Sequence, residues 1–121
     1  MVTTTLSPLA ATKCGGSCAG FIVAAIAGHR YELLRVATED ILHQPARSTL
    51  FPAMYPIFDA ARAAGAHGVY LSGGGSTIAA FVTDNGDEVT GAMRQVAAAH
   101  GLQAQTRVVG FSTGGTEVVD A

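Results

Sequence analysis

A glycine-rich stretch joins two apolar runs in the middle of the chain. It comprises Ser72, Gly73, Gly74, Gly75, Ser76 and Thr77, and it is called the glycine loop below. Without a Cβ, glycine lets the backbone approach a ligand closely and turn its N–H groups towards an anion. The stretch lacks the lysine of a Walker loop and the G-x-G-x-x-G pattern, and a strand pattern follows it. Two interpretations therefore stay open, a phosphate-facing loop and a plain hairpin connection.

A second candidate for chemistry is the sequence His43-Gln44-Pro45-Ala46-Arg47. A proline directly after a helix makes a short rigid corner, and the arginine that follows is then held in one place. A guanidinium in such a place can bind a carboxylate through two parallel hydrogen bonds. Arg47 is therefore either a carboxylate-binding residue or a surface arginine beyond a helix end.

Acidic, histidine and cysteine side chains give a weaker signal. Glu39 and Asp40 stand four and three residues before His43, a spacing that suits an acid–base pair or a metal site. No third ligand is evident, so we predict no metal site there. Cys14 and Cys18 have no second pair of cysteines to complete a metal site, and we expect both to be reduced thiols of minor structural importance.

Apolar periodicity predicts the helices that position these residues. Residues 17–28 fit a largely buried helix that ends at Gly28. Residues 30–44 fit an amphipathic helix that Pro45 stops. A third helix has Pro56 in its first turn and ends at Gly65. Its predicted apolar face consists of Ile57, Phe58, Ala61 and Ala64.

The second half of the chain is richer in strand patterns. Strands are predicted at residues 68–71 and 77–83, one on each side of the glycine loop. A turn and a helix that ends before Gly101 follow. Further strands are predicted at residues 103–111 and 117–120. Because helices and strands are mixed without strict alternation, we predict an α+β fold, an antiparallel sheet with helices packed on one face.

Composition and charge exclude several functional classes. The chain has 121 residues, 49% of them hydrophobic and 13% charged, which is typical of one globular domain. The net charge is −2 and the seven basic residues are scattered, so no basic stripe is available for nucleic acid or an anionic membrane. The longest apolar run, residues 18–28, is shorter than the roughly 20 residues that span a bilayer. The first residues lack the pattern of a signal peptide, and we predict a soluble, cytoplasmic protein.

Three stretches resemble the bacterial homoserine kinases. YELLRVATEDILHQPARSTLFPA is similar to a family segment with Y-E-L-L, then D-R-L-H-Q-P-Y-R, then L-I-P-G. AARAAGAHGVYLSGGGSTIAAFV resembles the family segment A-A-R-E-A-G-A followed by L-S-G-A-G-P-T. RVVGFSTGGTEVV is similar to the D-T-E-G-A-R-V stretch with which the family sequences end. The resemblance covers about residues 18–120. LSGGGST alone indicates only the superfamily of galactokinase, homoserine, mevalonate and phosphomevalonate kinases, whereas HQPAR with YELL points to homoserine kinase.

The resemblance implies a fold and a reaction. The fold is the ferredoxin-like C-terminal domain of the superfamily, over residues 17–121, after a poorly ordered leader at residues 1–16. The reaction is the ATP-dependent phosphorylation of the L-homoserine hydroxyl to O-phosphohomoserine in threonine biosynthesis, with ATP and Mg²⁺ required.

The resemblance also implies roles for individual residues. The glycine loop would be the third signature motif of the superfamily, beside the phosphates of the nucleotide. Arg47 matches the family arginine that holds the homoserine carboxylate, and Arg107 corresponds to a second carboxylate-binding arginine. The position of His43 in the sequence, and not the resemblance, suggests that it supports the corner that aims Arg47. The catalytic base is unassigned.

Some positions depart from the family pattern. Proline is common where Ser76 stands, alanine or serine where Gly74 stands, and tyrosine where Ala46 stands. The main nucleotide loop of the family, P-x-G-x-G-S-S-A-A, belongs to an N-terminal half and does not occur in this sequence. We therefore expect a detached C-terminal domain, with the N-terminal ATP-binding domain absent, that is inactive as a kinase on its own.

Two alternatives remain beside this interpretation. One is a stand-alone module that binds a small molecule or a protein without catalysis. The other is a different small-molecule kinase of the superfamily, for example of the mevalonate pathway, against which HQPAR argues. The expected partners are L-homoserine and ATP in the complete enzyme, without nucleic acid or membrane. Apolar surface at residues 18–27 or at the glycine loop is expected to favour a homo-oligomer.

Overall fold

The computed structural model describes residues 18–119. In this part of the chain five α-helices, one 3-10 turn and two strands follow one another, and the α+β class is confirmed. The elements are α1 (Cys18–Ala27), a 3-10 turn (Tyr31–Leu33), α2 (Leu34–Ala37), α3 (Gln44–Leu50), α4 (Met54–Ala63), β1 (Gly68–Leu71), β2 (Ile78–Phe81) and α5 (Gly86–Ala99). The leader predicted at residues 1–16, with Cys14, lies outside the described residues.

The two strands form an antiparallel pair. Gly68 lies opposite Phe81 and Leu71 lies opposite Ile78, so the glycine loop is the direct connection between the two strands. Both strands were predicted from their apolar runs, and both are confirmed in their central residues. The loop is therefore anchored at each end by the sheet.

Helices α4 and α5 pack on the sheet face that carries Val69. The core there contains Met54, Phe58, Ala61, Val69 and Val89, all at most 1% exposed. The predicted apolar face of α4 is largely confirmed, with Ala64 half-buried just beyond the helix. Pro56 lies in the first turn of α4, where its missing N–H removes no helical hydrogen bond.

Helix α2 approaches β1 at the face that carries Gly68. A Cβ built on Gly68 would lie 2.6 Å from the carbonyl oxygen of Leu34. The Thr38 hydroxyl donates to the same oxygen at 2.8 Å, which ends the helix. Only a residue without a side chain permits this approach.

The prediction of one helix over residues 30–44 is wrong. The helical turns end at Ala37, and residues 38–43 form a corner. The Asp40 carboxylate accepts the backbone N–H groups of Leu42 and His43 at 2.7 and 3.0 Å, in place of helical carbonyls. Pro45 lies in the first turn of α3, so it begins a helix where we predicted that it stops one.

The bounds predicted for α1 are nearly right, but the prediction that it is largely buried is wrong. Ala25 is 1% exposed, whereas Val23 on the outer side is 65% exposed. Helix α1 makes its main contacts with the 3-10 turn and α2, which cover one side of it. A continuous apolar run gives no information about which side is covered.

The strands predicted at residues 103–111 and 117–120 are also wrong within the described residues. Residues 102–111, called the C-terminal segment below, run beside β2, with the Phe111 ring 6.5 Å from the Phe81 ring. No backbone hydrogen bond joins residues 103–111 to any described residue. An alternating pattern favours an extended backbone, but a strand also requires a partner edge. Asp120 lies outside the described residues.

The apolar run of α1 forms a helix of ten residues. Between residues 18 and 119 no helix combines the length and the apolar character needed to cross a membrane.

Candidate functional site

Arg47 contacts the glycine loop directly. It lies on the last turn of α3, it is half-buried, and its Nη2 donates a hydrogen bond to the carbonyl oxygen of Gly74. The two residues are 27 positions apart in the sequence. The structure therefore brings together the two segments that the sequence singled out separately.

The corner before α3 fixes the position of Arg47. The carbonyl oxygen of His43 accepts the backbone N–H of Arg47 at 2.9 Å. The His43 side chain is exposed, and its Nδ1 lies 3.2 Å from Oδ2 of Asp40. His43 thus contributes to the corner through its backbone, while its imidazole faces Asp40.

Asp40 is held as a carboxylate by this corner. Partial burial raises the pKa of Asp40, but hydrogen bonds from the N–H groups of His43 and Leu42 and from the His43 side chain outweigh it. The net pKa lies below the usual range of an aspartate. The pairing of Asp40 with His43 that the spacing suggested is present, and it is part of the corner.

The glycine loop has the geometry of a hairpin connection. The N–H of Ser72 donates to the Thr77 carbonyl at 2.8 Å, and the N–H of Gly75 donates to the Ser72 carbonyl at 3.2 Å. Gly73 and Gly75 have φ angles of 59° and 78°. These left-handed conformations favour glycine, because a Cβ there is strained.

Several N–H groups of the loop remain available to a ligand. Within the described part of the chain, the amides of Gly73, Gly74 and Ser76 donate to no acceptor. All three residues are exposed. Adjacent free amides in a turn can bind an anion, so the loop connects two strands and also offers donors.

Arg107 lies elsewhere, in a cavity of about 690 Å³ between β2, α5 and residues 102–109. We call this cavity the edge cleft. Ser76 and Thr77 line it together with Arg107, whereas Arg47 does not. Gly86 follows β2 at the end of the strand that is remote from the glycine loop, and a Cβ on Gly86 would lie 3.0 Å from Cγ1 of Val108. Arg107 is the neighbour of Val108 in the sequence, so it lies near that end of β2. The structure does not bring the two predicted arginines together.

Sequence reasoning missed one basic residue of this region. Arg94 is exposed on α5 and lines the edge cleft with Arg107. Its neighbours in the sequence carry no motif, and its place follows from how α5 packs against β2. No local signal in the sequence could have found it.

The acidic and histidine residues of the described part form no metal site. Between residues 18 and 119, no group of three or more His, Cys, Asp or Glu side chains could hold a metal ion. Asp40 and His43 form a pair, and a pair falls short of the usual number of protein ligands.

A family model described as "GHMP kinases C terminal" matches residues 15–99. The match includes the corner, Arg47, the glycine loop and α5. It ends before the C-terminal segment and Arg107.

Curated relatives match much of the chain. A homoserine kinase of Carboxydothermus hydrogenoformans is 40% identical over 85 residues, which are 70% of this chain and 28% of that protein. A homoserine kinase of Desulfitobacterium hafniense is 36% identical over 99 residues, 81% of this chain and 33% of that protein. The chain thus spans about a third of the length of these relatives. No solved structure matches the chain significantly.

Proposed function

The chain belongs to the family of GHMP kinase C-terminal domains, and from this premise we propose that it is the C-terminal part of an ATP-dependent homoserine kinase. The reaction is transfer of the γ-phosphoryl group of ATP to the hydroxyl of L-homoserine, which gives O-phosphohomoserine and ADP. The curated relatives are named homoserine kinases, and this proposal extends their activity to the protein that contains this chain.

The contact between Arg47 and Gly74 is the observation that carries the proposal. A kinase of this kind must hold a small zwitterionic substrate beside the phosphates of the nucleotide. Arg47 has the charge and geometry to hold the substrate carboxylate, and the glycine loop has free amide donors. One hydrogen bond joins the two groups, which supports a single site.

Arg47 keeps enough donors for a substrate. An arginine carries five N–H donors in a rigid fork, and the Gly74 carbonyl accepts from one of its two terminal nitrogens. We propose that this contact orients the guanidinium, and that its remaining donors bind the homoserine carboxylate. The resemblance implies that Arg107 also binds the homoserine carboxylate. Arg107, however, lines the edge cleft, which Arg47 does not line.

The glycine loop would contribute to the nucleotide side of the site. The amides of Gly73, Gly74 and Ser76 have no acceptor among the described residues, so they are available to phosphate oxygens. Mg²⁺ neutralises the charge that develops on the transferred phosphoryl group. Kinases bind this ion through one or two carboxylates and the nucleotide phosphates, and we propose that these carboxylates belong to the part of a homoserine kinase that this chain does not match.

A chimeric enzyme tests the proposed role of Arg47. This chain replaces the 85 matched residues of the Carboxydothermus hydrogenoformans homoserine kinase, and Arg47→Ala is compared with the parent chimera. Loss of a charged hydrogen-bonded contact should raise the KM for L-homoserine roughly 10- to 100-fold. The KM for ATP should stay within about twofold, because Arg47 holds the other substrate.

Two further variants sharpen the comparison. Arg47→Lys keeps the charge but loses the fork, so it should fall between the parent and Arg47→Ala. Arg35→Ala removes an exposed arginine of α2 away from the loop and should leave both constants unchanged. An unchanged KM for L-homoserine in Arg47→Ala would remove Arg47 from the substrate site.

A further inference from the structure

One side chain holds the glycine loop from outside. Arg47 donates through Nη2 to the Gly74 carbonyl, and among residues 18–119 no other side-chain hydrogen bond involves residues 72–77. Three consecutive glycines also leave the tip of the loop without side chains that could pack on the domain. Between its two strand ends, the loop therefore depends for its conformation on its own backbone hydrogen bonds and on Arg47.

Arg47 restrains the peptide group between Gly74 and Gly75. The carbonyl oxygen of this group accepts from Arg47, and its N–H, which belongs to Gly75, donates to the Ser72 carbonyl at 3.2 Å. Because a peptide group is planar, the two hydrogen bonds fix the orientation of one rigid unit. The amides of Gly74 and Ser76 lie on either side of this unit and have no acceptor among the described residues. Arg47 thus helps to fix the direction of amides that are available to a phosphate.

The guanidinium of Arg47 can bind a carboxylate without releasing the loop. Nη2 carries two protons, one on each donor edge of the planar group, and one of them donates to Gly74. Whichever edge Gly74 occupies, the other edge keeps the second Nη2 proton and a proton of Nε or Nη1. Two parallel donors of this kind suit a carboxylate. The same nitrogen would then contact both the carboxylate and the Gly74 carbonyl.

We propose that L-homoserine and the nucleotide bind cooperatively, and that the hydrogen bond between Arg47 and Gly74 couples them. Arg47 is half-buried on the last turn of α3, and its long side chain loses rotamer freedom when a ligand fixes it. A carboxylate on the guanidinium bears that cost and orders the loop, so a phosphate that binds next bears less of it. This inference rests on the proposed function, because it takes both ligands from it.

Charge acts against this coupling. A carboxylate neutralises the positive charge of Arg47, which then attracts a phosphate less strongly. The contact between Arg47 and Gly74 is exposed, so solvent and salt screen the loss of attraction. Salt does not screen the ordering of the loop. We therefore expect positive coupling that does not weaken at high salt.

Titration calorimetry on the unmutated chimera tests the proposal. The Kd of the β,γ-imido analogue of ATP, with Mg²⁺, is measured without and with saturating L-homoserine. L-homoserine should lower this Kd at least about fivefold, also in about 0.5 M salt. Reciprocity requires the analogue to lower the Kd of L-homoserine by the same factor, which is an internal check. Because the coupling affects the KM for ATP only near saturating L-homoserine, Arg47→Ala keeps the KM for ATP within about twofold when L-homoserine is well below its KM.

Two substitutions of Gly74 assign the coupling to this contact. Gly74 has no positive φ, and the nearest atom to its Cβ outside the neighbouring residues would be Nη2 of Arg47, at 3.4 Å. Gly74→Ala makes an ordinary contact with the guanidinium and should keep the coupling. Gly74→Val adds a branched carbon on that side, displaces the guanidinium and should reduce the coupling to below about twofold. The ratio of the two Kd values of the analogue is the readout, because a merely structural change alters both values together.

Solvent-exchange NMR of the full chain, labelled with ¹⁵N, tests the restraint without any ligand. Loss of the guanidinium in Arg47→Ala should speed the exchange of the Gly75 amide at least about threefold. The amide of Val89, which donates to the Asn85 carbonyl at 3.0 Å in α5, is the control and should not change. Unchanged exchange at Gly75 would mean that Arg47 does not restrain the loop, and it would overturn the coupling.

The activity of the chimera separates this inference from the proposed function. A chimera that phosphorylates L-homoserine, but binds the analogue equally with and without L-homoserine, overturns the coupling and leaves the proposed function standing. Coupling that persists in Gly74→Val takes another path and also overturns the inference. A folded chimera that does not phosphorylate L-homoserine overturns the proposed function and the coupling with it.

Discussion

At the scale of single residues, the glycines of the loop differ in how well their backbone conformation tolerates a side chain. Gly75 has a φ of 78°, and a Cβ there would lie 3.2 Å from the Leu71 side chain. Gly74 has no positive φ, and the nearest atom to its Cβ would be Nη2 of Arg47 at 3.4 Å. Gly74 is therefore the position where a family alanine or serine fits this backbone.

We predict that alanine distinguishes these two glycines. Gly75→Ala should lower the free energy of unfolding by about 1–2 kcal/mol, because alanine is strained in the left-handed region. Gly74→Ala is the matched control and should stay within about 0.5 kcal/mol of the parent. Urea unfolding of the full chain measures both. Equal effects of the two substitutions would contradict the loop conformation.

Asp40 gives a pH-dependent prediction at the same scale. Its pKa is lowered in the folded state, so its stabilising contribution is present above the unfolded pKa of about 3.9. That contribution is lost as the pH falls through the lower, folded pKa. Asp40→Ala should lower the free energy of unfolding by roughly 0.5–2 kcal/mol near pH 7, like the loss of a helix cap. The deficit should shrink below about pH 4, and urea unfolding across this range measures it.

Asp40→Asn separates charge from hydrogen bonding. The amide oxygen can still accept the N–H groups of Leu42 and His43, so the loss at pH 7 should be smaller than for alanine. A deficit of Asp40→Ala that stays constant from pH 7 to pH 3 would mean that the carboxylate does not stabilise the corner.

At the scale of elements, α2 approaches the backbone of β1 closely at Gly68. Gly68→Ala would place a Cβ 2.6 Å from a backbone oxygen, which can move only with the whole of α2. We predict a loss of about 1–3 kcal/mol in the free energy of unfolding.

A second glycine, Gly91, should give a change of opposite sign in the free energy of unfolding when it is replaced by alanine. Gly91 lies inside α5, and a Cβ there would meet nothing within 4 Å. Gly91→Ala should raise the free energy of unfolding by about 0.5–1 kcal/mol, because glycine weakens a helix interior. Thermal unfolding of both variants measures the contrast. A stabilising Gly68→Ala would contradict the packing of α2 on β1.

The same elements show what the sequence could predict. The apolar face of α4 and the runs of β1 and β2 are local patterns, and they were predicted correctly. The corner at residues 38–43 was missed because Thr38 and Asp40 bond to nearby backbone groups, and helical periodicity does not report such competition. The C-terminal segment was assigned as a strand on its alternation, although a strand depends on a partner that local sequence does not specify.

At the scale of the whole molecule, the candidate site is assembled from distant segments. The sequence singled out Arg47 and the glycine loop separately, and the contact between them comes from the docking of α3 beside the hairpin. The place of Arg107 in the edge cleft could not be predicted, because it depends on the path of the C-terminal segment. Tertiary packing decides both the contact of Arg47 with the glycine loop and the place of Arg107, and local sequence patterns do not report such packing.

The chain on its own should not act as a kinase. Phosphoryl transfer requires groups that position the nucleotide phosphates and Mg²⁺, and the main nucleotide loop of the family, P-x-G-x-G-S-S-A-A, does not occur in this sequence. We predict that ATP consumption by the purified chain does not increase when L-homoserine is added. A coupled assay for ADP measures this, with the Carboxydothermus hydrogenoformans enzyme as the positive control. Homoserine-dependent turnover by the chain alone at the rate of that enzyme would contradict the prediction.

The most direct test of the central proposal is the activity of the unmutated chimera. If this chain is the C-terminal part of a homoserine kinase, the chimera should form O-phosphohomoserine with a kcat within about tenfold of the parent enzyme, a barrier difference of about 1.4 kcal/mol. A chimera that folds and binds ATP, yet does not phosphorylate L-homoserine, would contradict the proposal.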